Sequence, residues 1–142
     1  MTKKEELIRT LEDLGFPDEN VVLTVDEFFS NDDFFNGPDD GMGSIGVNLI
    51  DYVSPKTFYE TFKKLKGTGK VSEIYVQITD ADEPEEWFFT DTVYVVGQMS
   101  PDEISEIVES LSPDEIQEAS NDSLPINLRT KDNDKVFYLW WD

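Results

Sequence analysis

The sequence predicts an α+β fold: a ferredoxin-like βαββαβ antiparallel sheet with helices on one face, preceded by an N-terminal helix and extension. Three observations carry this. From Ser44 onward the local patterns run strand, helix, strand, strand, helix, strand, which is the split βαβ plan. Residues 71–79 alternate cleanly, with Ile74, Val76 and Ile78 on one side and Glu73, Tyr75, Gln77 and Thr79 on the other, as a half-buried strand requires. Between the first two strands, Ser54-Pro55 opens a helix with an N-cap and an N1 proline, and Gly67 closes it. A chain of 142 residues accommodates one domain with a real core, in which 1–43 form the N-terminal helix and extension and 44–142 the βαββαβ unit.

Each element has its own justification. Thr2 and Glu5 make a capping box, Leu7, Ile8, Leu11 and Leu14 recur at helical spacing, and Gly15-Phe16-Pro17 ends that first helix. Residues 21–25 are a short β-branched run, with a turn-rich or briefly helical connection over 26–36 that carries Phe28, Phe29, Phe34 and Phe35. Residues 44–50 carry no charge, which suits a central strand, and Gly46 within them marks a close backbone approach. The helix after Ser54 places Phe58, Phe62 and Leu65 on one stripe and Lys63, Lys64 and Lys66 near its negative end. Residues 92–97 form a strand with Val93 and Val95 opposite Tyr94 and Val96. Ser-Pro-Asp-Glu-Ile occurs at 100–104 and again at 112–116, and both copies read as helix starts, the second helix being short. Residues 120–134 read as loop and 135–141 as the last strand, which lies at an edge in this topology. Since that strand is apolar on both sides, its second face needs a cover, and the N-terminal extension is the predicted one.

Charge narrows the function. There are 32 acids and 11 bases, a formal net charge of -21. No lysine or arginine occurs from Thr10 to Pro55 or from Val71 to Leu128. Such surfaces repel phosphate backbones and anionic lipid, so direct nucleic-acid and membrane binding are disfavoured and a basic protein is the expected partner. No run approaches the ~20 apolar residues of a membrane span, and the N-terminus lacks the apolar stretch of a signal peptide. The expected location is the cytoplasm, which the absence of cysteine also fits. Histidine is absent too, which removes imidazole bases, Ser-His-Asp and Cys-His systems and histidine metal sites; no enzyme activity, cofactor or metal is expected. Asp32 to Gly43 has the outline of a calcium loop, but Phe34 and Gly43 occupy ligand positions. Asp80-Ala-Asp82 alone is too small a pattern for a magnesium site.

The candidate contact site is the stretch DADEPEEWFFTD, residues 80–91, longer than a strand connection needs. Two readings stay open. Its rings fold back on the sheet rim while the acids are solvated, or an acidic rim surrounds an aromatic anchor for a partner. The second reading assigns Asp80, Asp82, Glu83, Glu85, Glu86, Trp87, Phe88 and Asp91 to partner binding; Tyr75 and Tyr94, on the sheet face away from the helices, either extend this surface or, as the favoured expectation, lie under the N-terminal segment. The acidic stretch from Glu12 to Asp51 is the other candidate face.

A small, cysteine-free, strongly acidic α+β chain with an acid-rich aromatic loop resembles the immunity proteins that bacteria make against secreted nuclease toxins. The resemblance is one of overall character. It implies an inhibitor whose carboxylates stand in a basic toxin's active site where phosphates would bind. The alternatives are a nucleic-acid mimic that regulates a DNA-binding protein and a carboxylate-only magnesium-dependent enzyme. Monomer and dimer are both open.

Overall fold

In a computed structural model the described residues are 3–30, 45, 53–79, 81 and 87–141. Helix α1 (Lys3–Asp13) buries Leu7 and Leu11 and stops at Gly15, whose φ of +115° suits a residue without a Cβ. Strand β1 (Val22–Thr24) leads into the single turn α2 (Val25–Phe28), where Thr24 and Glu27 form a reciprocal capping box. Helix α3 (Pro55–Gly67) starts as its sequence requires: the Ser54 hydroxyl accepts from the Thr57 N–H, and Phe58, Phe62 and Leu65 are fully buried. Strands β2 (Val71–Gln77) and β3 (Thr92–Gly97) come next, then α4 (Pro101–Val108), in which Ser100 and Glu103 make a second capping box. A 3₁₀ turn (Glu109–Leu111), strand β4 (Glu115–Glu118), a second 3₁₀ turn (Asn121–Ser123) and strand β5 (Lys135–Trp140) complete the chain.

The fold is α+β, with an antiparallel sheet of five strands in the order β1-β2-β3-β5-β4. This order differs from the ferredoxin plan, in which the first core strand would separate the third from the last. Here β5 pairs directly with β3, from Thr92↔Trp140 to Gly97↔Lys135, and β4 closes its other side. The last strand is therefore interior, its backbone paired on both edges, while its two apolar faces pack into the core clusters on either side of the sheet. The strand expected at 44–50 lies outside the described residues except for Ile45, which makes a parallel bridge to Thr90. Gly46, Phe34, Phe35 and the calcium-loop outline at 32–43 also lie outside them, as do both acids of Asp80-Ala-Asp82.

The second Ser-Pro-Asp-Glu-Ile is corrected from helix to strand. Ser112 has φ +50°, a left-handed residue that ends the 3₁₀ turn, whereas an N-cap needs extended backbone. The Asp114 N–H then donates to Trp140 O, and the chain joins the sheet as β4.

The helices α1 to α4 share one face of the sheet. Leu7, Leu11, Phe28, Phe58, Phe62, Leu65, Ile104 and Val108 pack there on Leu23, Ile74, Val76, Val93, Val95, Phe137 and Leu139. The other face carries Val22, Tyr94, Val96 and Val136 under Leu128, flanked by Tyr75, Tyr138, Ala119 and Leu124. Among the described residues its cover is the strap 119–128, whereas the predicted cover from the N-terminal extension does not come from α1, whose apolar stripe joins the helical face. The strap is fastened at β1: the Asn127 side chain accepts from Val22 N–H at 2.9 Å and donates to Val22 O at 2.7 Å, and Ile126 N–H donates to Asn20 O.

Candidate functional site

The strands are polarised by charge along their length. At one end, Gly97 pairs with Lys135 and the Gln98 N–H donates to Lys70 O, so Lys70 and Lys135 stand together, with Lys131 lining the same concavity as Lys70. Lys70 is bonded to Glu103. The opposite end carries Asp91, Asp114 and Glu115, and there the shoulders of the 80–91 connection enter the sheet: Thr79 N–H donates to Phe89 O and Trp141 N–H to Asp91 O.

Of the predicted contact residues, Asp80, Asp82, Glu83, Glu85 and Glu86 lie outside the described residues. The two rings among them turn toward the chain's own core. Phe88 is fully buried in the core, with the Lys4 ammonium 5.7 Å from its ring centroid. Trp87 is half-buried against Phe88 and donates its indole N–H to Phe28 O at 2.8 Å. Both rings follow the apolar driving force inward, and the Phe28 carbonyl satisfies the one polar atom of Trp87. Asp91 stays at the rim, its carboxylate accepting from the hydroxyls of Thr92 at 2.9 Å and Thr79 at 3.4 Å.

The aromatic surface lies elsewhere. Across the strapped face, Tyr75, Tyr94 and Tyr138 stand in register, and Trp140 pairs with Thr92 and Glu115 one row nearer the acidic end. A cavity of about 260 Å³ opens there, lined by Gln77, Thr92, Tyr94, Tyr138 and Trp140 from the sheet and by Ala119, Ser120 and Ser123 from the strap. The Tyr94 hydroxyl donates to Gln77 Oε1 at 3.0 Å and the Tyr138 hydroxyl to Glu115 Oε2 at 3.1 Å. Burial, the neighbouring Tyr138 and the Asp91 carboxylate push the Tyr94 hydroxyl above its ordinary pKa. Burial and Glu115 do the same to Tyr138. Both phenols remain protonated donors at neutral pH.

Trp140 is unlike the other two tryptophans. Trp87 and Trp141 each donate to a main-chain carbonyl, whereas the Trp140 indole N–H has no hydrogen-bond partner among the described residues. The cavity residues Trp140, Tyr138, Gln77, Thr92, Ser120 and Ser123 are not singled out by the sequence reading. Period-two alternation in VFYLWW separates Tyr138 and Trp140 from Phe137, Leu139 and Trp141, and the polar-tipped set marks the second face. Among the described residues no cluster of three or more acids could hold a metal, and no helix is long and apolar enough to cross a membrane.

The model of the family described as "Uncharacterized protein YfbO family" matches residues 2–136. The chain belongs to the YfbO family. It is similar to "Uncharacterized protein YfbO" of Escherichia coli (strain K12), 30% identical over 100 residues. That match covers 70% of this chain and 66% of the relative, just under two thirds of its length. No solved structure matches.

Proposed function

We propose that this chain is a cytoplasmic protein-binding protein that engages a basic protein through the acidic end of its sheet. The observation that carries this reading is the segregation of charge. No base occurs from Val71 to Leu128, and Lys70 and Lys135, with Lys131 near Lys70, stand at the far end of the strands from Asp91, Asp114 and Glu115. Charge segregated in this way gives a chain of net charge -21 a directed field, which orients a cationic partner during approach. The sharpest form of this proposal is stoichiometric inhibition of a basic, nuclease-like toxin, with carboxylates placed where the toxin binds phosphate. A DNA-binding protein restrained by a nucleic-acid mimic would use the same surface.

The test is association kinetics with a partner captured from the native host. Changing Asp82, Glu83, Glu85 and Glu86 together to lysine should slow association by about tenfold or more at low ionic strength, and the difference should shrink as salt is added. Equal association rates at low salt would remove the 80–91 connection as the contact and direct attention to Glu12–Asp51. Inhibition of a nuclease activity at one-to-one stoichiometry would establish the toxin form.

A further inference from the structure

The cavity beside the strap points to a specific way of gripping such a partner. We propose that it receives an arginine side chain of the basic protein; this rests on the protein-binding reading above. The lining offers ring surface from Trp140, Tyr138 and Tyr94 and hydroxyl oxygens from Thr92, Ser120 and Ser123, and it contains no lysine or arginine. Two carboxylates flank it. Glu115 is held by the Tyr138 hydroxyl through one oxygen, and the Asp91 carboxylate accepts from the hydroxyl of the lining residue Thr92 at 2.9 Å. Neither Asp91 nor Glu115 has a cationic partner among the described residues, where Lys66 pairs with Asp26 and Glu73 and Lys70 with Glu103.

A cation satisfies this arrangement better than a neutral or anionic group. Ring faces attract positive charge through their quadrupole, and an uncompensated carboxylate at each side adds Coulombic attraction in a partly dry site. Arginine fits better than lysine because its flat guanidinium stacks on a ring while its edge N–H groups reach carboxylate and hydroxyl oxygens. An anionic ligand could take the Trp140 N–H and the hydroxyls as donors but would meet the repulsion of both carboxylates. A second copy of this chain would also have to bring its own excess of carboxylates to the same end. The side chain would be the central anchor of the interface.

The test uses the intact protein and two capped tripeptides, Gly-Arg-Gly and Gly-citrulline-Gly, which have the same shape with and without charge. The three indole N–H resonances provide the readout, assigned by single substitutions to phenylalanine. The arginine peptide should move the Trp140 resonance and leave those of Trp87 and Trp141, whose N–H groups are bonded internally. The citrulline peptide should bind at least about threefold more weakly, as expected for loss of a partly exposed cation–π contact. Glu115→Gln should weaken the arginine peptide by a similar factor without affecting citrulline, and Ser123→Trp, at an exposed strap position, should block both. Failure of the Trp140 resonance to move, equal binding of the two peptides, or indifference to Glu115→Gln and Ser123→Trp would overturn the proposal. Since no partner protein is involved, that result would leave the loop kinetics, and the reading they test, intact.

Discussion

The pentapeptide Ser-Pro-Asp-Glu-Ile folds as a helix start at 100–104 and as the approach to a strand at 112–116. In the first copy Ser100 is extended, its hydroxyl accepts from Glu103 N–H, and the Glu103 carboxylate accepts from Ser100 N–H. In the second Ser112 is left-handed and Asp114 donates to β5. Local capping preference is the same in both, about 1 kcal/mol, so the residues downstream of each copy decide its fate. After Ile104 come Ile107 and Val108, which continue an apolar stripe onto the helical core. After Ile116 the same spacings bring Ala119 and Ser120, which offer no stripe, while β5 presents a free flank. Tertiary pairing outweighs a cap worth so little.

Removing β5 should have the largest effect. A chain ending before Lys135 loses the partner of both β3 and β4 together with Trp140 and Trp141, and should show no cooperative thermal transition, since the loss exceeds a typical total stability of about 5–15 kcal/mol. A single sharp transition in the truncated chain would mean that β4 is held by something other than β5. The two isoleucines differ next. Ile104 is fully buried and Ile116 only half-buried, so Ile104→Ala should cost about 3–4 kcal/mol in denaturant unfolding and Ile116→Ala roughly 1 kcal/mol. The serines differ by less. Ser100→Ala should cost about 1 kcal/mol through the lost cap, while Ser112→Gly, at φ +50°, should be neutral or stabilise by up to about 1 kcal/mol. If Ser112→Gly instead destabilises as much as Ser100→Ala, the left-handed turn is not what separates the copies.

The smallest effect is the pH dependence of the first cap. The bond from Lys70, and after it that from the Ser100 N–H, holds the Glu103 carboxyl below its ordinary pKa. A depressed folded-state pKa contributes stability that is present above the unfolded value and is lost as pH falls through the folded one. The gap in melting temperature between the parent and Glu103→Gln should therefore be present at neutral pH and close as pH falls below the ordinary carboxylate range. A gap that persists in acid would assign the effect to packing instead of charge.

Elements set by their own residues were legible in the sequence. The stripe of Phe58, Phe62 and Leu65 between Ser54 and Gly67 predicts α3 with its faces, and alternation predicts β2 and β3 with Val93 and Val95 opposite Tyr94 and Val96. Elements set by distant partners were not legible. The place of β5 inside the sheet, the strand at 115–118 and the strap over the second face each depend on contacts far along the chain, which period and cap signals do not encode. At the site, the charge segregation was visible, but the direction of each ring was not: Trp87 and Trp140 are both aromatic residues near acids, and only the packing turns one to Phe28 O and the other to the cavity.

The Asn127 clamp on Val22 joins residues separated by 105 positions. During synthesis at about 5–20 residues per second, β1 emerges roughly 5–20 s before the side chain that seals its outer flank. Until then Val22 presents an unpaired N–H and C=O to any neighbouring nascent chain, so the vulnerable period of this fold is fixed by translation speed as well as by its own stability.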